Sequence, residues 1–431
     1  MKKLLALLTA MALVVTLTAC GDKKEPTTDK GNEPTVETGV NVEIPAGTEI
    51  TFWHAMGGKN GEAVEYLVNQ FNEENEYGIT VTAEFQGGYG DLDKKVMAGL
   101  SAKQFPNIAQ AYGNNIIRYI DSGKIVALDD YINSEKYGIE DFNDIIEAYR
   151  TENSSYPDGK FNSLPFNKST EVLYINKTRF EENNLEVPTT LEELEAVSKQ
   201  ITEITGKPAF GYDSIQNLFI IWCQNFGSEY TNSKGEALFD TQEARDAINF
   251  FAKGVKEGYF RTAGEDKYMS GPFNNEDVWM FIGSTSGADY VGSDAFEFAA
   301  YEYPYGANPT VIQQGSNMFM LDNGDEENAA TFVFMNWLTQ TEQTLYWSMN
   351  SGYLPVRESA RETDEWKAYI ADGVGKPTTK SVGIGQASNY TFDPIFANSY
   401  SVRKAVEQAV MDVINGIDIE EAISTALDAA Q

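Results

Sequence analysis

The chain's pattern predicts an α/β protein built as two lobes, each a sheet flanked by helices, around a cleft, and three observations carry that prediction. At 431 residues the chain exceeds what one hydrophobic core usually organises. Its apolar residues switch repeatedly between the period of two that marks a half-buried strand and the helical period of 3.6. Two such series of strands and helices follow one another, the first from Glu49 and the second from about Glu171. Strand, helix and strand in succession imply right-handed crossovers, a largely parallel sheet, and ligand crevices at the carboxyl ends of its strands. Two consecutive units place a cleft between them.

The chain opens with a basic pair, Lys2 and Lys3, then an apolar run from Leu4 to Val15 that is too short to span a bilayer. Leu17-Thr18-Ala19-Cys20 closes it with small residues before a cysteine. The segment resembles a bacterial lipoprotein signal. That resemblance implies cleavage after residue 19, lipid on Cys20, and a mature chain anchored to the outer face of the cell membrane. Removing residues 1–19 with their two lysines takes the formal net charge from −33 to −35. Residues 20–45, charged and rich in Thr, Pro and Gly, read as a disordered tether.

Glu49-Ile50-Thr51-Phe52-Trp53 is the first strand of the body, followed by a glycine-bearing loop and a helix with Val64, Leu67, Val68 and Phe71 on one face. Asn72 to Asn75 break that helix. Ile79, Val81, Ala83 and Phe85 alternate with polar partners as a second strand, and a helix over Asp91 to Lys103 leads to a short strand over Asn107 to Tyr112. The second series begins at Glu171 to Asn176. Thr190 and Glu193 make a capping box for a helix to about Ile204, and Ala209 to Tyr212 is a strand. Asp240 and Glu243 are expected to open a helix with Ala247, Ile248, Phe251 and Val255 inward. Val278 to Gly283 and Phe296 to Ala300 are strand-like.

Charge excludes some functions. So acidic a chain repels phosphate backbones and anionic lipid surfaces, which argues against nucleic-acid binding. Cys20 and Cys223 are the only cysteines; with Cys20 lipidated, Cys223 has no partner and is expected in the core. With one histidine, His54, and no spaced Cys/His cluster, neither a zinc site nor a cofactor is expected. Asp322 to Asp325 departs from a calcium loop and reads as helix capping. Gly283-Ser284-Thr285-Ser286-Gly287 superficially suggests a nucleophile elbow, but Thr285 holds the central position. Acidic pairs near a cleft are too common here to indicate a glycosidase, and the protein is read as no enzyme.

Five spaced segments carry a family resemblance: Phe52 to Met56, Gly87-Gly88-Tyr89, Pro106 to Tyr112, Leu164 to Thr170 with Leu173 to Lys177, and Ser351-Gly352-Tyr353-Leu354-Pro355. Together they resemble the carbohydrate-type, maltose-binding-protein-like solute-binding proteins of ABC importers, with motifs closest to the glycerol-3-phosphate-binding branch. The resemblance implies a type II periplasmic-binding-protein fold. Its N-terminal lobe would comprise 46–165 with 314–356, and its C-terminal lobe 166–313 with 357–431. Hinge crossings would lie near Asn162 to Asn167, near Ile312 to Ser316 and shortly after Pro355. The partners implied are a small saccharide and the permease subunits of the importer, with the receptor a monomer. The alternatives are a sensor lipoprotein of the same fold, reporting to a membrane kinase, and a binder of a glycerol-phosphate-type ligand.

Position by position, the resemblance implies ligand contacts from Tyr89, Ser169, Ser284 or Ser286, Gly315 with the adjacent Ser316, and Tyr353. Trp53 and His54 sit where the first strand ends, at the crevice side of the fold. Asp213 and Gln216 stand where the branch has a tryptophan, offering polar contacts instead. A saccharide presents C–H faces and hydroxyl edges, so aromatic planes and directional hydrogen-bonding groups suit it. Two further positions depart from the branch: Gly113 replaces a glutamate, and Gly383 to Gln386 offer no arginine. A phosphomonoester without arginine loses its bidentate partner, so a neutral saccharide is expected.

Overall fold

The computed structural model describes residues 40–371 and 375–430; the signal segment, Cys20 and the expected tether up to residue 39 lie outside them. Among the described residues no helix is long and apolar enough to cross a membrane.

Ten strands form one sheet: β1 (Glu49–His54), β2 (Thr80–Phe85), β3 (Ile108–Ala111), β4 (Leu164–Asn176), β5 (Phe210–Tyr212), β6 (Phe260–Thr262), β7 (Met280–Ser284), β8 (Phe298–Tyr301), β9 (Val311–Met320) and β10 (Tyr390–Thr391). Their order is β2-β1-β3-β9-β4-β7-β5-β6, with β8 beside β4 and β10 beside β9. The expected parallel units are present: β1 pairs in parallel with β2 and β3, and β5 with β6 and β7. The sheet as a whole is mixed. β4 and β9 pair antiparallel with each other, and β9 likewise with β3 and β4 with β7, so these two long strands run from one half of the sheet into the other.

Alternation along the strands builds a core on each face. In the first half Ile108, Met318 and Met320 join Phe52, Phe71 and Phe334, whereas Ala109 and Phe319 join Leu92 and Tyr119 behind them. In the second half Leu173 and Ile175 pack with Trp222, Phe251 and Phe260, while Val172 and Tyr174 pack with Phe281 and Phe296. Cys223 is fully buried in the core that holds Leu173 and Trp222, as its type predicts.

Local chemistry sets the helix ends. The helix Gly58–Glu74 buries Ala63, Val64, Leu67, Val68 and Phe71, and Asn75 stops it: its Nδ2 donates to the Phe71 and Ile79 carbonyls while its Oδ1 accepts from the Ile79 amide. The helix Leu191–Thr205 starts with the expected reciprocal capping box of Thr190 and Glu193. Thr190→Ala is therefore expected to cost about 1 kcal/mol, read as a lowered urea midpoint with an unchanged slope. The helix Gln242–Glu257 is capped by Thr241, whose Oγ1 accepts from the Ala244 amide; the expected Asp240 instead pairs with Arg245 at 2.9 Å. Only the residue directly before the first helical turn can reach the third amide, and that residue is Thr241.

Residues 40–45, read from sequence as the end of the tether, lie against the body. Ser134 Oγ donates to the Val40 carbonyl and Tyr137 Oη to that of Val42, and Val40, Val42 and Ile44 pack on the first-half core. Three alternating apolar residues in a polar stretch are the cause.

Candidate functional site

A cavity of about 920 Å³ lies where the two halves of the sheet meet, floored by the Gln313 to Gly315 stretch of β9. A second hollow of about 730 Å³, lined in part by Tyr156, Lys234 and Phe396, adjoins it and shares Arg118 and Ala397 with it.

Tyr89 opens the helix Tyr89–Ala102 after the Gly87-Gly88 turn and forms one wall of the cleft. Its hydroxyl is already engaged: Asn167 Nδ2 donates to it at 3.0 Å, and it shares hydrogen bonds with Ser316 Oγ at 3.0 Å and Tyr353 Oη at 3.3 Å. Burial pushes its phenol well above the ordinary range, so Tyr89 offers a ligand its ring face. The Tyr112 ring lies 4.9 Å away, centroid to centroid, and extends that wall. On the opposite side stand Tyr268 and Tyr400, 66% and 70% exposed.

The second-half floor is polar. Asp213 follows β5, and its Oδ1 accepts from the Met269 amide at 2.6 Å; burial raises its carboxyl to about 6. Glu171 on β4 accepts from Tyr212 Oη at 2.5 Å and Asn217 Nδ2 at 2.8 Å, yet burial still raises it to about 7. Arg403, on the helix Ser399–Ile414, spans this floor. It donates to Gln216 Oε1 at 3.0 Å, Asn217 Oδ1 at 2.7 Å and Asp393 Oδ2 at 3.0 Å.

Of the residues singled out from sequence, Tyr89, Asp213, Gln216, Ser284 and Gly315 line the cleft. Gln216 does so while bridging Arg403 and Glu407. Tyr353 and Ser316 stand behind Tyr89 as its hydroxyl partners, and Tyr353 stacks on Trp347 at 5.7 Å. Ser286 backs Ser284, their hydroxyls 2.9 Å apart. Ser169 is buried in the β4/β9 pairing, its hydroxyl 3.5 Å from the Gln314 carbonyl. Trp53 and His54 are away from the lining. The Trp53 indole donates to Glu84 at 2.8 Å, and His54 is buried, its Nδ1 accepting from the Met56 amide and its imidazole lowered by burial to about 4.

Several lining residues escaped the sequence reading, among them Glu171, Asn217, Tyr112 and Arg403. Tyr112 had a signal, since it closes a quoted motif directly after β3, where an open α/β sheet places its crevice. Arg403 had none, and it corrects the expectation of a site without a guanidinium: the cation comes from the C-terminal helix rather than from Gly383 to Gln386. Among the described residues no group of three or more His, Cys, Asp or Glu is placed to hold a metal ion.

Residues 66–372 match the model of the bacterial extracellular solute-binding proteins. The sn-glycerol-3-phosphate-binding periplasmic protein UgpB of Rhizobium meliloti strain 1021 is 26% identical over 92% of this chain and 95% of its own. Among solved structures, the cyclic α-maltosyl-1,6-maltose binding protein of Arthrobacter globiformis superposes with a TM-score of 0.77 at 22% identity, over 89% of this chain and 98% of that one. UgpB of Mycobacterium tuberculosis, solved with glycerophosphocholine, gives 0.77 at 20% identity over 90% and 98%. With this mixed sheet, its central cleft and a match across most of its length, the chain belongs to the bacterial extracellular solute-binding protein family.

Proposed function

We propose that this protein is the receptor of an ABC importer and captures a hydroxyl-rich solute, a mono- or oligosaccharide, in the cleft between its lobes. The observation that carries this reading is the lining: tyrosine faces on both walls above a floor of carboxylates and amides, with the single arginine of that floor already paired to Asp393. Lipid on Cys20 would hold the receptor near its permease, and a monomer is sufficient for the task. The lobes would close about the β4/β9 ribbon, since a ligand shifts an open and closed equilibrium only by contacting one state better. Catalysis has no support in the site: Ser284 and Ser286 hydrogen-bond each other, and His54 lies on the other half of the sheet.

A glycerophosphate-type ligand is the second reading, favoured by Arg403 on the floor and by the names of the relatives. Calorimetric titration with a saccharide panel, glycerol-3-phosphate and glycerophosphocholine separates the two. Micromolar binding of a phosphate ester with no saccharide heat selects the second. Tyr89→Ala is expected to weaken binding more than ten-fold, since a stacking face is lost; an unchanged dissociation constant removes Tyr89 from the site.

A further inference from the structure

The charges of the cleft do not balance. Arg403 is matched by Asp393 at 3.0 Å, Arg118 by Asp93 at 2.6 Å, the exposed Lys94 by Asp91 at 3.8 Å, and Lys168, behind the floor, by Glu152 at 2.5 Å. Glu171 and Asp213 have no basic side chain within ion-pair distance among the described residues. Their partners are neutral donors only: Tyr212 and Asn217 for Glu171, and the Met269 amide for Asp213. The two carboxylates sit on the same floor either side of β7. A Cβ on Gly283 would meet Asp213 Oδ2 at 2.5 Å, so the glycine is what lets that carboxylate lie over β7 towards β4.

Hydrogen bonding is lopsided in the same sense. Gln313, 2% exposed, commits its Nε2 to Glu152 Oε2 at 2.7 Å. A carboxylate only accepts, so this contact fixes the amide's orientation and leaves Gln313 Oε1 buried with no donor. Asn114 is oriented likewise by Asp393 Oδ2 at 2.8 Å, and its Oδ1 has no donor either; nor has Asp393 Oδ1. Among the described lining side chains, every buried polar atom without a partner is an acceptor. Unmade bonds of this kind destabilise the ligand-free cleft until a donor arrives.

A phosphate brings only acceptors and more negative charge. A neutral polyol brings donors but no charge. A protonated amine brings up to three N–H donors and the missing positive charge, and the tyrosine faces of the wall attract it further. Taking the cleft as the solute site, we propose that its ligand carries a protonated amine beside its hydroxyl groups, an aminated saccharide by class, with the amine held by Asp213 and Glu171. The groups facing these carboxylates, besides each other, are Tyr212 and Tyr303 and, near Asp213, Tyr174, whose phenols burial drives above the ordinary range, and Arg403 across Asn217, which keeps its charge. Asp213 and Glu171 are thus the groups that titrate near neutrality, and an ammonium that pairs with them displaces their protons.

Calorimetry on the mature chain with matched pairs tests this: glucosamine- and galactosamine-bearing mono- and disaccharides, each beside its hydroxyl parent. In at least one pair the amine is expected to bind ten-fold or more tightly at pH 7.5, with the advantage shrinking at pH 5. Asp213→Asn, and separately Glu171→Gln, should each erase the difference within the pair, with thermal unfolding of the ligand-free variants confirming that they fold. If parents bind and no amine binds better, the inference is overturned while the saccharide reading stands. If neither member of any pair binds, both fall.

Discussion

Gly315→Ala is expected to destabilise the ligand-free protein by about 3 kcal/mol or more, through overpacking added to backbone strain. Gly315 adopts φ +115°, and a Cβ there would lie 1.7 Å from the Asn167 carbonyl oxygen and 3.2 Å from Lys168 Cα. Those are backbone atoms of the strand it pairs with, Lys168 being its register partner, so no side-chain rotation relieves the clash. Alanine at so positive a φ adds further strain. Separation of β4 from β9 at this point would disturb the one ribbon that links the halves of the sheet. Gly287→Ala is the matched control, since a Cβ there meets nothing within 4 Å, and its effect should stay within about 0.5 kcal/mol. Urea unfolding followed by circular dichroism reads both. The resemblance implied a ligand-contacting glycine at 315; a loss seen without ligand shows that the close strand approach requires the glycine first. An unchanged urea midpoint for Gly315→Ala would show that the ribbon yields.

The sequence made local order legible and long-range pairing illegible, for physical reasons visible at particular residues. The strand over Ile79 to Phe85 and the capping box at Thr190 depend on neighbours within a few positions, and both are present, although the alternation fades at Phe85, which is exposed. The mixed character of the sheet depends on partners such as Thr170 and Gln313, which no periodicity connects. Nor does β4 resemble a buried strand: Asn167 to Glu171 are five consecutive polar residues, all buried. They are tolerated because other segments supply their bonds, as when Thr170 Oγ1 donates to the Ile312 carbonyl at 2.7 Å and Asn167 Nδ2 to Ser316 Oγ at 3.1 Å. The site divides the same way. Tyr89 and Asp213 follow short turns or strand ends, so their position on the cleft is legible locally, whereas Arg403 reaches the floor from a helix whose local pattern reads as ordinary amphipathicity.

Lys168→Met is expected to cost about 3–5 kcal/mol, because it leaves a buried carboxylate without its counter-charge. Lys168 is fully buried, its Nζ 2.5 Å from Glu152 Oε2, 3.3 Å from Asn317 Oδ1 and 5.2 Å from the Tyr149 ring centroid. Glu152 in turn accepts from Gln313 Nε2 at 2.7 Å and Asn317 Nδ2 at 3.2 Å. The cluster therefore joins the helix Glu147–Asn153 to both strands of the ribbon just behind the cleft floor. A buried pair replaced as a whole is often nearly neutral, whereas a pair cut in half is not. Lys168→Met with Glu152→Gln should accordingly recover most of the loss, giving a coupling energy of about 2 kcal/mol or more in a double-mutant cycle. Additive single and double variants would instead mean that each partner is compensated separately, by the amides and by Tyr149. Ligand titration of the double variant then tests what the charges add beyond stability. The pair fixes where Gln313 presents its unpartnered oxygen, so a double variant that folds normally should still bind less tightly than the parent protein.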